Sequence, residues 1–235
     1  MNINIAKKTI VTILFIVFGV NNLLGEAIKR DSNEWNDLSV SERWQAVNIA
    51  EDQLEIMSTY DLLIQCLDFD FMWDIFNHPN LELGLNAVIG NYNALNKLLN
   101  QNDAGRIMLN YYNSINPQEV TSKKDLIQKG EFTGRILFTE LFITYPKVIE
   151  QFKGNEKEVI NSILDSYDKC MEVNRALGKE YYSNFDFGIK VLTIGRLQNQ
   201  AKGNENTNLA IKNLDLHELT DELYQDILNK ARLNK

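Results

Sequence analysis

The chain holds little of what most catalytic and metal-binding motifs are built from. Of its 235 residues only two are histidines, His78 and His217, and only two are cysteines, Cys66 and Cys170. No H-E-x-x-H and no Cys/His cluster with zinc spacing occurs, so no metal site is expected. There is no G-x-S-x-G elbow and no dinucleotide or P-loop glycine pattern, so no cofactor is called for. Prolines number three and glycines twelve. Sandwiches and barrels need more turn residues than that, and the composition points to helices. Positive charge is also short. Lys plus Arg come to 24 against 32 acids, a net charge of -8. An acidic chain lacks the basic face that displaces counterions from nucleic acid, and its overall charge disfavours an anionic membrane.

What is present begins with a candidate export signal. Lys7 and Lys8 precede Ile10–Val20, eleven residues apolar except for Thr12 and Gly19. That run is too short to cross a bilayer, which takes roughly 20 residues, and it suits the apolar region of a signal peptide. The expectation is a signal over residues 1–25, cleaved near Gly25 or Ala27, with a periplasmic or secreted product of charge -10. No membrane span is expected in the mature chain. In an exported protein Cys66 and Cys170 are able to pair, but each follows apolar residues at helical spacing. Two buried free thiols are the expectation.

Residues 26–38 read as a polar N-terminal arm, and 39–235 as one helical domain. Hydrophobic residues are 44% of the chain, enough for a sizeable core. Apolar residues recur at helical spacing in every segment, and none shows sustained period-two alternation. Ser39 with Glu42 and Ser58 with Asp61 have the spacing of reciprocal helix caps, and Ser183 with Asp186 repeats it. Asp103 and the Ser122–Asp125 pair mark two more helix starts. The pattern from Leu81 to Leu99 reads as continuous, and a flexible loop is expected near 202–213 before the last helix. The fold class is therefore all-α, with eight to ten antiparallel helices stacked as a superhelix, or alternatively packed as a compact orthogonal bundle. A short echo links Gly105-Arg106-Ile107, Gly134-Arg135-Ile136 and Gly195-Arg196-Leu197. Each glycine there reads as a site of close helix approach.

Three constellations carry potential chemistry. Asp31, Asn33, Asp37, Ser39 and Glu42 match five positions of a calcium loop, but Trp35 and Asn36 stand where a ligand and a glycine belong. Asp68, Asp70 and Asp74 read as a solvated face between aromatic residues. Tyr181, Tyr182, Asn184, Phe185 and Asp186 form the candidate binding surface, because aromatics beside an amide and a carboxylate stack on sugar rings or anchor a protein.

The run Ser58, Leu62-Leu63-x-x-Cys66-Leu67, Asp74-Ile75-Phe76, Gly84 and Leu98-Leu99-x-x-x-Asp103-Ala104-Gly105 resembles a family of exported, all-helical proteins of unknown function from Gram-negative gut bacteria. The resemblance covers about a quarter of the chain. It implies an α-superhelix of armadillo type and carries no catalytic residue. The functional expectation is a non-catalytic exported protein that binds or scaffolds a macromolecule, a protein or a glycan. The alternative is a carboxylate-dependent hydrolase acting on cell-wall or dietary glycans, which needs two acids facing across a cleft.

Overall fold

The computed structural model describes residues 33–178, 181–202 and 208–235. The expected signal segment and residues 26–32 lie outside these. All regular structure among the described residues is helical: thirteen α-helices and two 3₁₀ segments, more and shorter pieces than the expected eight to ten. The chain divides into two compact units at Asn48/Ile49, later than the expected domain start at residue 39.

The described part of the first unit holds α1 (Asn33–Asp37) and α2 (Val40–Val47). The expected arm is thus partly helical. Helix α2 starts as predicted: Ser39 accepts from the Glu42 amide, and the Glu42 carboxylate accepts from the Ser39 amide at 2.8 Å. Arg43 ties the two helices by donating to the carbonyls of Trp35 and Asn36, at 3.2 and 3.0 Å. Of the residues matching a calcium loop, Glu42 is thus taken up by the cap and Asn33 and Asp37 lie in α1, while Asp31 lies outside the described residues.

The second unit runs α3 (Glu51–Ile56), α4 (Thr59–Leu67), a 3₁₀ segment (Asp70–Asn77), α5 (Leu81–Asn91), α6 (Asn93–Leu99) and α7 (Ala104–Ser114). A second 3₁₀ segment (Pro117–Ser122) leads to α8 (Leu126–Ile143), α9 (Pro146–Glu150), α10 (Glu156–Leu177), α11 (Asn184–Lys202), α12 (Leu209–Asn213) and α13 (Asp221–Leu233). The predicted box of Ser58 and Asp61 caps α4, and Ser183 with Asp186 caps α11 in the same reciprocal way. Asp125, not Ser122, caps α8 by accepting from the Gln128 amide at 2.8 Å. Asp103 stands at the start of α7, but its carboxylate serves Thr59 and Arg106 instead of the helix amides. Part of the expected 202–213 loop is helix α12, which Asn208 caps on the Ala210 amide.

Amide side chains clamp the breaks. The Leu81–Leu99 pattern is interrupted at Tyr92, and Asn93 holds both the N–H and the C=O of Ile49, at 3.1 and 2.7 Å. Asn174 does the same for Tyr182, at 3.1 and 2.6 Å. Gln151 bridges Gly105 and Gln101. Each clamp engages two backbone groups at a break between helices.

Helices α8 and α11 form the centre. Ile136–Thr144 and Phe187–Gly195 are buried without interruption. A helix apolar all round is one covered on every side. Around them pack α7, α10 and α13, and α4 packs on α6. Helix α5 crosses the first 3₁₀ segment so closely that a Cβ on Gly84 would sit 2.0 Å from the Ile75 carbonyl oxygen. Only glycine fits there, and the contact fixes where Trp73 and Phe76 stand. In the Gly-Arg echo, Gly105, Gly134 and Gly195 each abut a bulky side chain, and Arg106, Arg135 and Arg196 each pair with an acid: Asp103, Asp68 and Glu82. Cys66 and Cys170 are free and buried, as expected.

Candidate functional site

Two places in the second unit hold unusual chemistry, one sealed and one open. The sealed one lies where α8 meets α11. Lys190 and Glu140 form an ion pair with both side chains at 1–2% exposure. The Tyr112 hydroxyl, from α7, donates to the same Glu140 Oε1 at 2.5 Å. The Lys190 ammonium lies 5.8 Å from the centre of the Tyr112 ring. Ser166 and Cys170 from α10 complete the shell, with Ser166 close enough to act on the ionisation of both Tyr112 and Cys170. The Tyr182 hydroxyl donates to the Pro117 carbonyl at 2.6 Å beside that thiol.

The electrostatics follow from burial and pairing. Burial pushes Glu140 above its ordinary value, against the opposing pull of Lys190. For Lys190 burial acts downward, but the attraction of Glu140 and Cys170 outweighs it and holds the ammonium above its usual range. Burial also raises Tyr112 well above its usual range and Cys170 from 9.0 to about 11. The buried threonines beside the pair are satisfied locally: Thr139 donates to Arg135 O at 2.7 Å and Thr193 to Ile189 O at 2.9 Å. Every polar group named here has a partner inside the protein, and the acid with the raised value faces a lysine and a tyrosine. A glycosidase pair needs instead two carboxyls with substrate between them. The arrangement holds three helices in register and presents no reactive atom to a substrate.

The open site is an aromatic strip on the outer side of α8. The Trp73 indole lies over Gly134, where a Cβ would come within 2.9 Å of the ring. Trp73 stands edge-on to Phe138 at 5.1 Å and 5.6 Å from Phe76. Phe76 continues to Phe185, edge-on at 5.1 Å. Three elements thus contribute to one chain of rings: the first 3₁₀ segment, α8 and α11. Phe138 is buried beneath, while Trp73 is 47% and Phe185 39% exposed. Tyr181 stands nearby, its ring covered by the Lys129 ammonium at 4.5 Å.

The residues expected to form the binding surface divide. Phe185 and Asn184 are exposed, and Tyr181 and Asp186 are half-buried. Tyr182 is corrected: it is 2% exposed, because its hydroxyl has the Pro117 carbonyl as an interior partner. Asp186 is spent on the helix cap. Trp73 and Phe76 were not expected beside Phe185, and no sequence signal joins them across that separation. Lys190 and Glu140 did leave a signal. Each is the one charged residue inside a run that is otherwise uncharged and mostly apolar, Phe187–Ile194 and Ile136–Ile143. Asp68 pairs with Arg135, and Asp74 accepts from Asn77 at 2.7 Å, so both serve local structure. His217 lies in the turn before α13. Among the described residues no group of His, Cys, Asp and Glu is placed to hold a metal ion.

Comparisons with protein-family models, with curated proteins and with solved structures each find no match, so the resemblance of residues 58–112 rests on those residues alone.

Proposed function

We propose that the protein is a non-catalytic binding protein that holds a macromolecular partner through the aromatic strip of Trp73, Phe76 and Phe185. The observation that carries this reading is the pairing of exposure with rigidity. Two large rings stand open to solvent on a base of stacked aromatics, seated on a glycine and on the most deeply buried helices of the unit. Rings fixed in this way lose little conformational freedom when they bind, which is why aromatics dominate binding hot spots. Export, as Lys7, Lys8 and the Ile10–Val20 run suggest, would place the strip outside the cytoplasm. The hydrolase alternative has less support, because Glu140, the acid that burial raises, is sealed against Lys190.

Co-purification from the native host tests the reading. The parent chain is expected to retain one specific partner, protein or glycan, and Trp73→Ala with Phe185→Ala is expected to lose it while keeping the helical circular dichroism. Turnover of a polysaccharide panel, abolished by a single Asp or Glu substitution, would defeat it in favour of the hydrolase.

A further inference from the structure

The start of α8 carries a second surface of different chemistry. Leu126 and Ile127 are 80% and 74% exposed, two adjacent aliphatic side chains with almost nothing beside them. The whole stretch Lys124–Gln128 is exposed, so this corner projects from the second unit. Isolated exposed apolar residues are ordinary, but a neighbouring pair at a projecting corner is not.

Lysines surround the pair. Lys123, Lys124 and Lys129 lie within three residues of it, in a chain whose net charge is -8. Two of them are held in place by rings, Lys123 by Phe132 at 5.0 Å and Lys129 by Tyr181 at 4.5 Å. Against them stand Asp125, which caps α8 through the Gln128 amide and keeps its charge, and Glu131 one turn further on, so the corner holds three lysines against two carboxylates. The global charge argument against anionic surfaces therefore fails at this corner, where the local balance is positive.

We infer that the Lys123–Lys129 corner docks on an anionic lipid surface, with Leu126 and Ile127 entering the headgroup boundary and the three lysines meeting the phosphates. The shape selects this occupant over an acidic peptide. A bound peptide needs a groove that covers it, and side chains three-quarters exposed line no groove. A projecting aliphatic tip ringed by lysines instead buries itself by entering a soft interface, with the lysine stems lying along it. Polybasic attraction to anionic lipid adds to the apolar gain and fades with salt. No helix among the described residues is long and apolar enough to cross a membrane, so the attachment is peripheral.

The test uses the full chain with Ile127→Cys carrying an environment-sensitive fluorophore. Cys66 and Cys170 are 0% exposed, so under native conditions the label goes to position 127. Vesicles of phosphatidylglycerol and phosphatidylcholine in equal parts should blue-shift the label, and pure phosphatidylcholine should not. In vesicle sedimentation, Leu126→Asp with Ile127→Asp should weaken binding by more than about tenfold, and added salt should weaken the parent. Sedimentation with no spectral change at position 127 would place the attachment elsewhere in the chain, at Ile10–Val20 for example, and overturn the inference. So would equal binding by the double variant, or saturable binding of an acidic peptide without binding to vesicles. Trp73→Ala should leave vesicle binding intact, which separates this surface from the aromatic strip.

Discussion

Helix α8 is two helices in physical terms. Its first half, Leu126–Arg135, is exposed or half-buried except at Gly134 and carries Leu126 and Ile127 unburied. Its second half, Ile136–Ile143, is covered on every side and carries Glu140. The open half presents apolar residues where charge would be ordinary, and the sealed half buries a charge where apolar residues would be ordinary. Such inversions cost stability, and they point to different causes. A buried charge is tolerated only when fully partnered, as Glu140 is by Lys190 and Tyr112. An exposed aliphatic pair needs no partner within the fold, and the docking surface inferred above would give it one outside.

The sharpest way to break this contrast is to remove one member of the sealed pair. Lys190→Ala leaves Glu140 buried with only the Tyr112 hydroxyl, and urea titration should show a loss of about 3–5 kcal/mol. If the cluster holds register and has no chemical task, replacing it whole should be mild. Glu140→Leu, Lys190→Met and Tyr112→Phe together should fall within about 1 kcal/mol of the parent or above it. A triple variant as unstable as the single one would mean the centre needs its charges.

The sealed centre should also fail at one end of the pH scale. The Cys170 thiol is raised from 9.0 to about 11 by burial, so the stability it contributes is complete below pH 9 and lost as the pH rises through about 11. A shift of that size corresponds to about 2–3 kcal/mol. Tyr112 and Lys190 are also raised, so each loses its contribution in the same alkaline direction. Glu140 is raised as well, so its contribution is greatest in acid. Thermal melts from pH 7 to 11 should show the decline, and Cys170→Ala should flatten part of it. The exposed cap acid Glu42 behaves oppositely: it is lowered by its bonds to Ser39, and what it contributes is lost in acid.

The sequence exposed local devices and concealed the distant ones. The boxes at Ser39, Ser58 and Ser183 were readable because cap and partner lie three residues apart. The break at Tyr92 was not, because its cause is a clamp from Asn93 to Ile49, 44 residues away. Phe185 was readable as a surface aromatic, whereas Tyr182, three residues before it, turned inward to a carbonyl 65 residues distant. The exposure of Leu126 and Ile127 has no signature in the sequence. Two aliphatics beside a helix cap look like the beginning of a core stripe, and only exposure separates the two cases.

Gly134, with Trp73 upon it, sits at the end of the first half of α8, next to the sealed half, and the cost of truncation there should be intermediate. Trp73→Ala removes a half-exposed ring with an edge-on contact to Phe138, and should cost about 1–2 kcal/mol, below the cost of truncating a buried aromatic. Denaturant titration measures it. A larger loss would mean the strip is part of the core and not a surface resting on it.

The smallest effect belongs to the open half. Leu126→Asp with Ile127→Asp removes two side chains that bury little in the folded chain, so stability should move by no more than about 0.5 kcal/mol. The direction can even be favourable. Both positions lie in the first turn of an 18-residue helix, where a carboxylate is attracted to the helix N-terminus by a few tenths of a kcal/mol. A melt of the double variant at or above the parent would establish that these two aliphatics contribute nothing to folding. A fall of 2 kcal/mol or more, on the scale of losing buried side chains, would show that the corner is covered within the folded chain, and the distinction between the two halves of α8 would collapse.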